Sequence, residues 1–164
     1  MKKILLPLIF LLTGQLQAQD LLPIAFEDCE IRDFIIENDV EVARKDPEAI
    51  KKIIVEHLNP RARKKLRGEL MFQILVYQGG RSCLLSVDND TKFNKDELDL
   101  ETVKFAIDEL LLWEDVEDKN VSAMVLLKFK RRGKVTLRRL GIGPDRDVHE
   151  LKRPDVVAAT VNPN

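Results

Sequence analysis

Few residues of this chain have the type and spacing to do chemistry. The only two cysteines, Cys29 and Cys83, lie far apart. An even count in an oxidising compartment favours a disulfide, whereas two reduced cysteines would behave as small buried hydrophobes. Both readings stay open on the sequence. A reactive thiol needs a cation or a helix start beside it, and the strand expected around Ser82-Cys83 supplies neither. Zinc needs three or four converging ligands. The only histidines are His57, on the apolar stripe of an expected helix, and His149, in the tail without a near partner. Asp88 and Asp90 lack the glycine and closing glutamate of a calcium-binding loop and read as solvated turn residues. No catalytic, metal or cofactor-binding residue is assigned.

Two basic clusters remain. Arg61, Arg63, Lys64, Lys65 and Arg67 fall on a short helix. Lys128, Lys130, Arg131, Arg132, Lys134, Arg138 and Arg139 fall across an expected final hairpin and are the candidate partner-binding residues. Such a surface suits an acidic protein partner, although exposed lysine and arginine also guard sheet edges against aggregation. Nucleic acid is disfavoured because no aromatics interleave with the basic residues.

These groups must be carried by a scaffold whose layout follows from periodicity. Asp46, Pro47 and Glu48 open a helix, and Ile50, Ile53, Ile54, His57 and Leu58 give it one buried face. Asn59-Pro60 starts a second, short helix that Gly68 ends. The period then changes to two. Leu70, Phe72, Ile74 and Val76 alternate with their neighbours, Gly79-Gly80 makes a two-residue hairpin loop, and Ser82 to Val87 returns. That loop places Val76 opposite Cys83 and Ile74 opposite Leu85, with Asp88 to Thr91 as an exit loop. Val103, Ala106, Ile107, Leu110 and Leu111 mark the inner face of a helix ending at Trp113, with Lys104 and Asp108 in water. Val121 to Lys130 alternates again, and Arg132-Gly133 turns the chain into Lys134 to Leu140.

The expected fold is α+β: an antiparallel sheet of about four strands, ordered strand-strand-helix-strand-strand, with the N-terminal helices on one face. Residues 19–45 form a leader, 46–143 the domain, and 144–164 a loosely held tail. Charged residues make up 34% of the 164-residue chain and aromatics 5%, so the core must be mainly aliphatic.

Residues 1–18 have their own logic. Lys2-Lys3, the apolar run Ile4 to Leu12 and the exit Leu16-Gln17-Ala18 have the layout of a secretory signal peptide, and the run is too short for a membrane span. The expectation is an exported protein, periplasmic or extracellular, beginning near Gln19 with no stable membrane span after cleavage. Cleavage removes two lysines and moves the formal charge from −1 to −3.

The segment Leu58 to Phe129 resembles the C-terminal domain of TonB-type proteins, in the version common in Bacteroidetes. The matching residues are Asn59-Pro60, Gly68, the strand Glu69 to Tyr77, Gly80, the helix around Val103 to Leu110, Trp113, and Val125-Leu127-Phe129. The leader Ile24-Ala25-Phe26-Glu27-Asp28-Cys29 is similar to the phenylalanine-x-x-cysteine element that often precedes that domain. Asn59 stands where the family has an aromatic, and Glu114-Asp115 follows Trp113 where it has proline. The proline-rich linker of energy-transducing members is missing. The resemblance thus implies the fold and strand-mediated protein binding, not energy transduction.

The resulting expectation is a non-enzymatic module that binds a protein partner, such as an extended segment of an envelope protein, by strand addition along Val121 to Lys130 or Lys134 to Leu140. The alternative is a secreted small-ligand carrier or enzyme with a pocket between helix and sheet.

Overall fold

Local chemistry sets the helix boundaries. In the computed structural model, which describes residues 21–31, 33–114, 116 and 119–153, Asp46 caps α1 (Pro47–His57) by accepting from Glu48 N–H, and Asn59 caps α2 (Pro60–Lys65) in the same way from Arg61 N–H. An Asn94/Glu97 capping box opens the single turn α3 (Lys95–Leu98). Asp99, at φ 58°, ends α3 and caps α4 (Leu100–Leu110). The expected signal peptide and the end of the tail lie outside the described residues.

The chain is α+β, but among the described residues its sheet has seven strands where about four were expected. The four long ones are β3 (Gly68–Val76), β4 (Ser82–Thr91), β5 (Asn120–Phe129) and β6 (Val135–Ile142). Three short ones come from the flanks: β1 (Ile24–Ala25), β2 (Phe34–Ile36) and β7 (Val148–Glu150). Strands of two or three residues are too short to show a period, so alternation cannot reveal them. The sheet runs β1-β4-β3-β5-β6-β7, antiparallel throughout, and β2 joins β5 in parallel. The described parts of the leader and tail thus contribute β1, β2 and β7 to the sheet.

The core lies on one face. Leu70, Phe72, Ile74 and Val76 of β3 join Val121, Ala123, Val125, Leu127 and Phe129 of β5, covered by Ile50 and Ile54 of α1 and Val103 and Ile107 of α4. Burying each of these side chains larger than alanine stabilises the fold by about 1.5–3 kcal/mol before entropy is counted. The opposite face carries a smaller apolar cluster, Met124, Leu126 and Leu140 with Met71 and Leu22.

The β3–β4 hairpin corrects a register. Tyr77 N–H donates to Arg81 O (2.8 Å), so three residues, Gln78-Gly79-Gly80, form the loop rather than two. Cys83 then pairs with Leu75 and Ile74 with Leu84. A bulge at Leu85 restores the phase, and Val87 faces Phe72. Gly80 is required here: at φ 80° an added Cβ would sit 2.3 Å from Trp113 O. The expected exit loop, Asp88 to Thr91, is instead the end of β4.

Candidate functional site

A sheet edge is a site only where its backbone is free, so the boundary must be followed strand by strand. β5 is interior. It pairs with β3 along Val121–Phe129 and, on its other side, with β6 at Met124–Phe129 and β2 at Asn120–Ser122. This overturns the expectation that Val121 to Lys130 could be an edge. The amphipathic alternation of β5 reports two chemically different faces, not a free flank.

The β4 flank is closed by several devices. β1 pairs with Ser86 and Val87, and Phe26 N–H donates to Leu85 O (2.9 Å). The Asp108 carboxylate accepts from Leu84 N–H at 2.7 Å. Asn89 Oδ1 accepts from Thr91 N–H (3.1 Å). Cys29 and Cys83 are joined by a disulfide with Cα atoms 5.7 Å apart, pinning the leader to this edge. Beside it, Glu30 N–H donates to the Tyr77 hydroxyl (3.0 Å). Burial pushes the pKa of that hydroxyl up, against the lowering effect of this hydrogen bond.

β6 differs. Lys130 N–H donates to Lys134 O (2.8 Å), so Lys134, Thr136 and Arg138 turn their backbone groups inward to β5. Leu151 N–H donates to Arg139 O (3.0 Å), which shows that the odd-numbered residues face outward. β7 and Leu151 occupy that outer side from Arg139 to Ile142. Among the described residues no strand pairs with the outer side of Val135 and Leu137. Both residues are half-buried, and among the described residues their two outward N–H and two outward C=O groups have no backbone partner. Proline at Thr136 or Arg138 would thus break the β5–β6 ladder and not the open edge.

The basic hairpin cluster is divided by this geometry. Lys130, Arg131, Arg132, Lys134 and Arg138 are exposed, and Lys128 is exposed but paired with Glu69 at 2.6 Å. Arg139 is not a surface residue. It points to the core face opposite Val125, is 4% exposed, and pairs with the 1% exposed Glu37. Its Nη1 donates to Ala43 O (2.9 Å), and its guanidinium stacks 4.8 Å from the Trp113 ring. Glu37 in turn accepts from Val42 N–H (2.7 Å) and Ala43 N–H (2.9 Å). A buried charge pair survives only when hydrogen-bonded in this way. Arg139 is therefore a tether between β6 and the leader.

The other singled-out residues have structural places. His57 Nδ1 lies 2.7 Å from Ile53 O. His149 does have near partners: Nδ1 lies 3.1 Å from Asp147, and Nε2 lies 3.2 Å from Asp39 without hydrogen-bond geometry. In the helical cluster, Arg63 donates to Val55 O (3.0 Å) and Arg67 to Leu66 O. Lys104, expected in water, is partly buried and pairs with Asp108 at 2.5 Å. No group of three His, Cys, Asp or Glu converges on a metal position among the described residues. Nor is any described helix long and apolar enough to cross a membrane. Two surface clefts, of about 610 and 370 Å³, are lined largely by charged and polar residues, and neither runs between helices and sheet.

Neither a family model, a curated protein nor a solved structure matches this chain. The site has to be judged on its own geometry.

Sequence reasoning missed Glu37 and Asp108, because each acts on a group distant in sequence: Glu37 on the Arg139 side chain, Asp108 on Leu84 N–H. It also missed Gln73, which is fully buried and bonded to Ser86 (2.6 Å), Ser122 (3.2 Å) and Leu21 N–H (2.9 Å). One signal was readable for Arg139. It shares the odd positions of Val135 and Leu137, whereas Lys134 and Arg138 share the even ones with Thr136.

Proposed function

We propose that this chain is an exported, non-enzymatic protein-binding module that takes an extended segment of its partner onto the outer edge of β6. The observation that carries the reading is the contrast between the two flanks of the sheet. On the β4 flank a strand and a carboxylate meet the backbone from Leu84 to Val87, whereas among the described residues no strand pairs with the outer side of Val135 and Leu137, beside a basic turn. Strand addition draws affinity from main-chain hydrogen bonds and specificity from alternate side chains. The exposed cations add steering toward an acidic partner. The resemblance to TonB C-terminal domains points the same way, and the export reading rests on residues 1–18.

The test is a set of peptides selected on the oxidised protein from a random displayed library. Val135→Pro and Leu137→Pro each remove one outward N–H while leaving the β5 ladder intact. Both variants, shown to be folded by circular dichroism, should lose most of the binding. Peptides that bind folded Val135→Pro and Leu137→Pro as tightly as the parent would defeat the reading. For export, N-terminal sequencing of the protein from its native host should find a start at Gln19 or Asp20; an intact Met1 would refute it.

A further inference from the structure

We infer that the β6 edge selects extended segments in which acidic and aliphatic residues alternate. This rests on the edge-addition reading above and adds the chemistry of the partner.

The two faces of β6 differ sharply. On the core face, Val135 and Leu137 pair across to Phe129 and Leu127 and pack with the partly buried Ile53 against the hydrophobic core. On the opposite face, Arg138 pairs across to Leu126 and Thr136 to Lys128, and Lys130 faces Lys134 through the bond that closes the turn. Lys128 already has Glu69. Lys130, Lys134 and Arg138 have no ion pair among the described residues, and all three are exposed. The whole chain carries 27 basic and 28 acidic side chains, so this concentration of unpaired cations is local.

An added strand would alternate in phase with β6. Its residues on the core face would lie beside Val135 and Leu137 and extend the apolar layer. Its residues on the other face would lie opposite or diagonal to Lys134, Thr136 and Arg138, within about 5–8 Å, where opposite charge is favourable and like charge is not. The turn at Arg131–Gly133 bounds the open stretch at one end and β7 bounds it at the other. A short segment therefore suffices.

The same geometry penalises one symmetric pairing with a second copy of this chain. Antiparallel self-pairing centred on Thr136 would set Lys134 directly opposite Arg138, twice, with like charges facing.

The experiment uses the full chain, oxidised, and four labelled synthetic peptides read by fluorescence anisotropy. One alternates glutamate and valine, one has the same composition in two blocks, one alternates threonine and valine, and one alternates lysine and valine. An N-methylated form of the first blocks backbone pairing without altering charge. The glutamate–valine peptide should bind roughly 2- to 30-fold more tightly than the threonine–valine peptide at low salt, and the gap should shrink as salt screens it. The lysine and block peptides should be weaker still. Lys134→Glu combined with Arg138→Glu should invert the order, favouring the lysine–valine peptide. Equal binding of the glutamate, threonine and lysine peptides, with N-methylation still abolishing it, would overturn the acidic preference and leave edge addition standing. Binding that ignores N-methylation would be simple charge adsorption and would overturn both. No binding by any peptide would overturn the partner chemistry proposed here.

Discussion

The two flanks of one sheet have been treated in opposite ways. On β4, a strand, a carboxylate and an asparagine side chain meet outward backbone groups from Leu84 to Val87 and at Thr91, and a disulfide pins the leader beside them. On β6, among the described residues, strand pairing stops at Arg139, and the stretch between Arg139 and the turn is flanked by exposed cations. The difference teaches that exposed backbone is tolerated where long cations keep identical edges apart. The leader serves both sides: β1 and Cys29 lie on the β4 flank, whereas β2 pairs with β5 and Glu37 holds Arg139 of β6.

The contrast can be broken or sharpened by substitution. The largest effect is expected at the inner end of the β6 edge, where Arg139→Met strands a buried Glu37. It should cost about 3–5 kcal/mol in urea unfolding, whereas pairing it with Glu37→Gln should recover much of the loss. A loss below about 1 kcal/mol would show that the pair does not hold the leader. Next comes the disulfide. Cys29→Ser with Cys83→Ser should lower stability by about 2–4 kcal/mol, and thiol counting on the denatured, unreduced parent should find none free. Removing the carboxylate cap with Asp108→Ala leaves the Leu84 N–H unsatisfied and should cost about 1–3 kcal/mol; Asp108→Asn, which keeps an acceptor, should cost less. The smallest effect belongs to the open flank. Lys134→Ala and Arg138→Ala should each stay within about 0.5 kcal/mol of the parent, because both are exposed and neither makes an ion pair among the described residues. A large loss at either would mean that the two flanks are alike.

How much of this could be read from the sequence depended on length and on distance along the chain. The long strands and both main helices were legible because eight to eleven residues are enough to show a period and a cap. The hairpin register was not. A three-residue loop and a bulge at Leu85 shift the phase twice, and the two shifts cancel in the hydrophobic pattern. The β2–β5 pairing was invisible because Phe34 meets Asn120, and nothing near Phe34 records it. Of the candidate site, the open stretch lay within the expected Lys134 to Leu140 strand, and its cations were named. Arg139 was misplaced because composition cannot separate adjacent arginines, although their alternation can.

The parallel pairing of β2 also sets a timetable. Phe34 pairs with Asn120, and Glu37 with Arg139, which lies 102 residues further along. A chain emerging from its N-terminus thus exposes Phe34-Ile35-Ile36 and the Glu37 carboxylate long before their partners exist. The hairpin of β3 and β4, joined by a three-residue loop, can form meanwhile. Contacts of such long range slow folding, since loop closure precedes any gain from the contact. The leader appears before the partners that place it, and its contacts with Asn120, Arg139 and Lys152 can close only after those residues have followed.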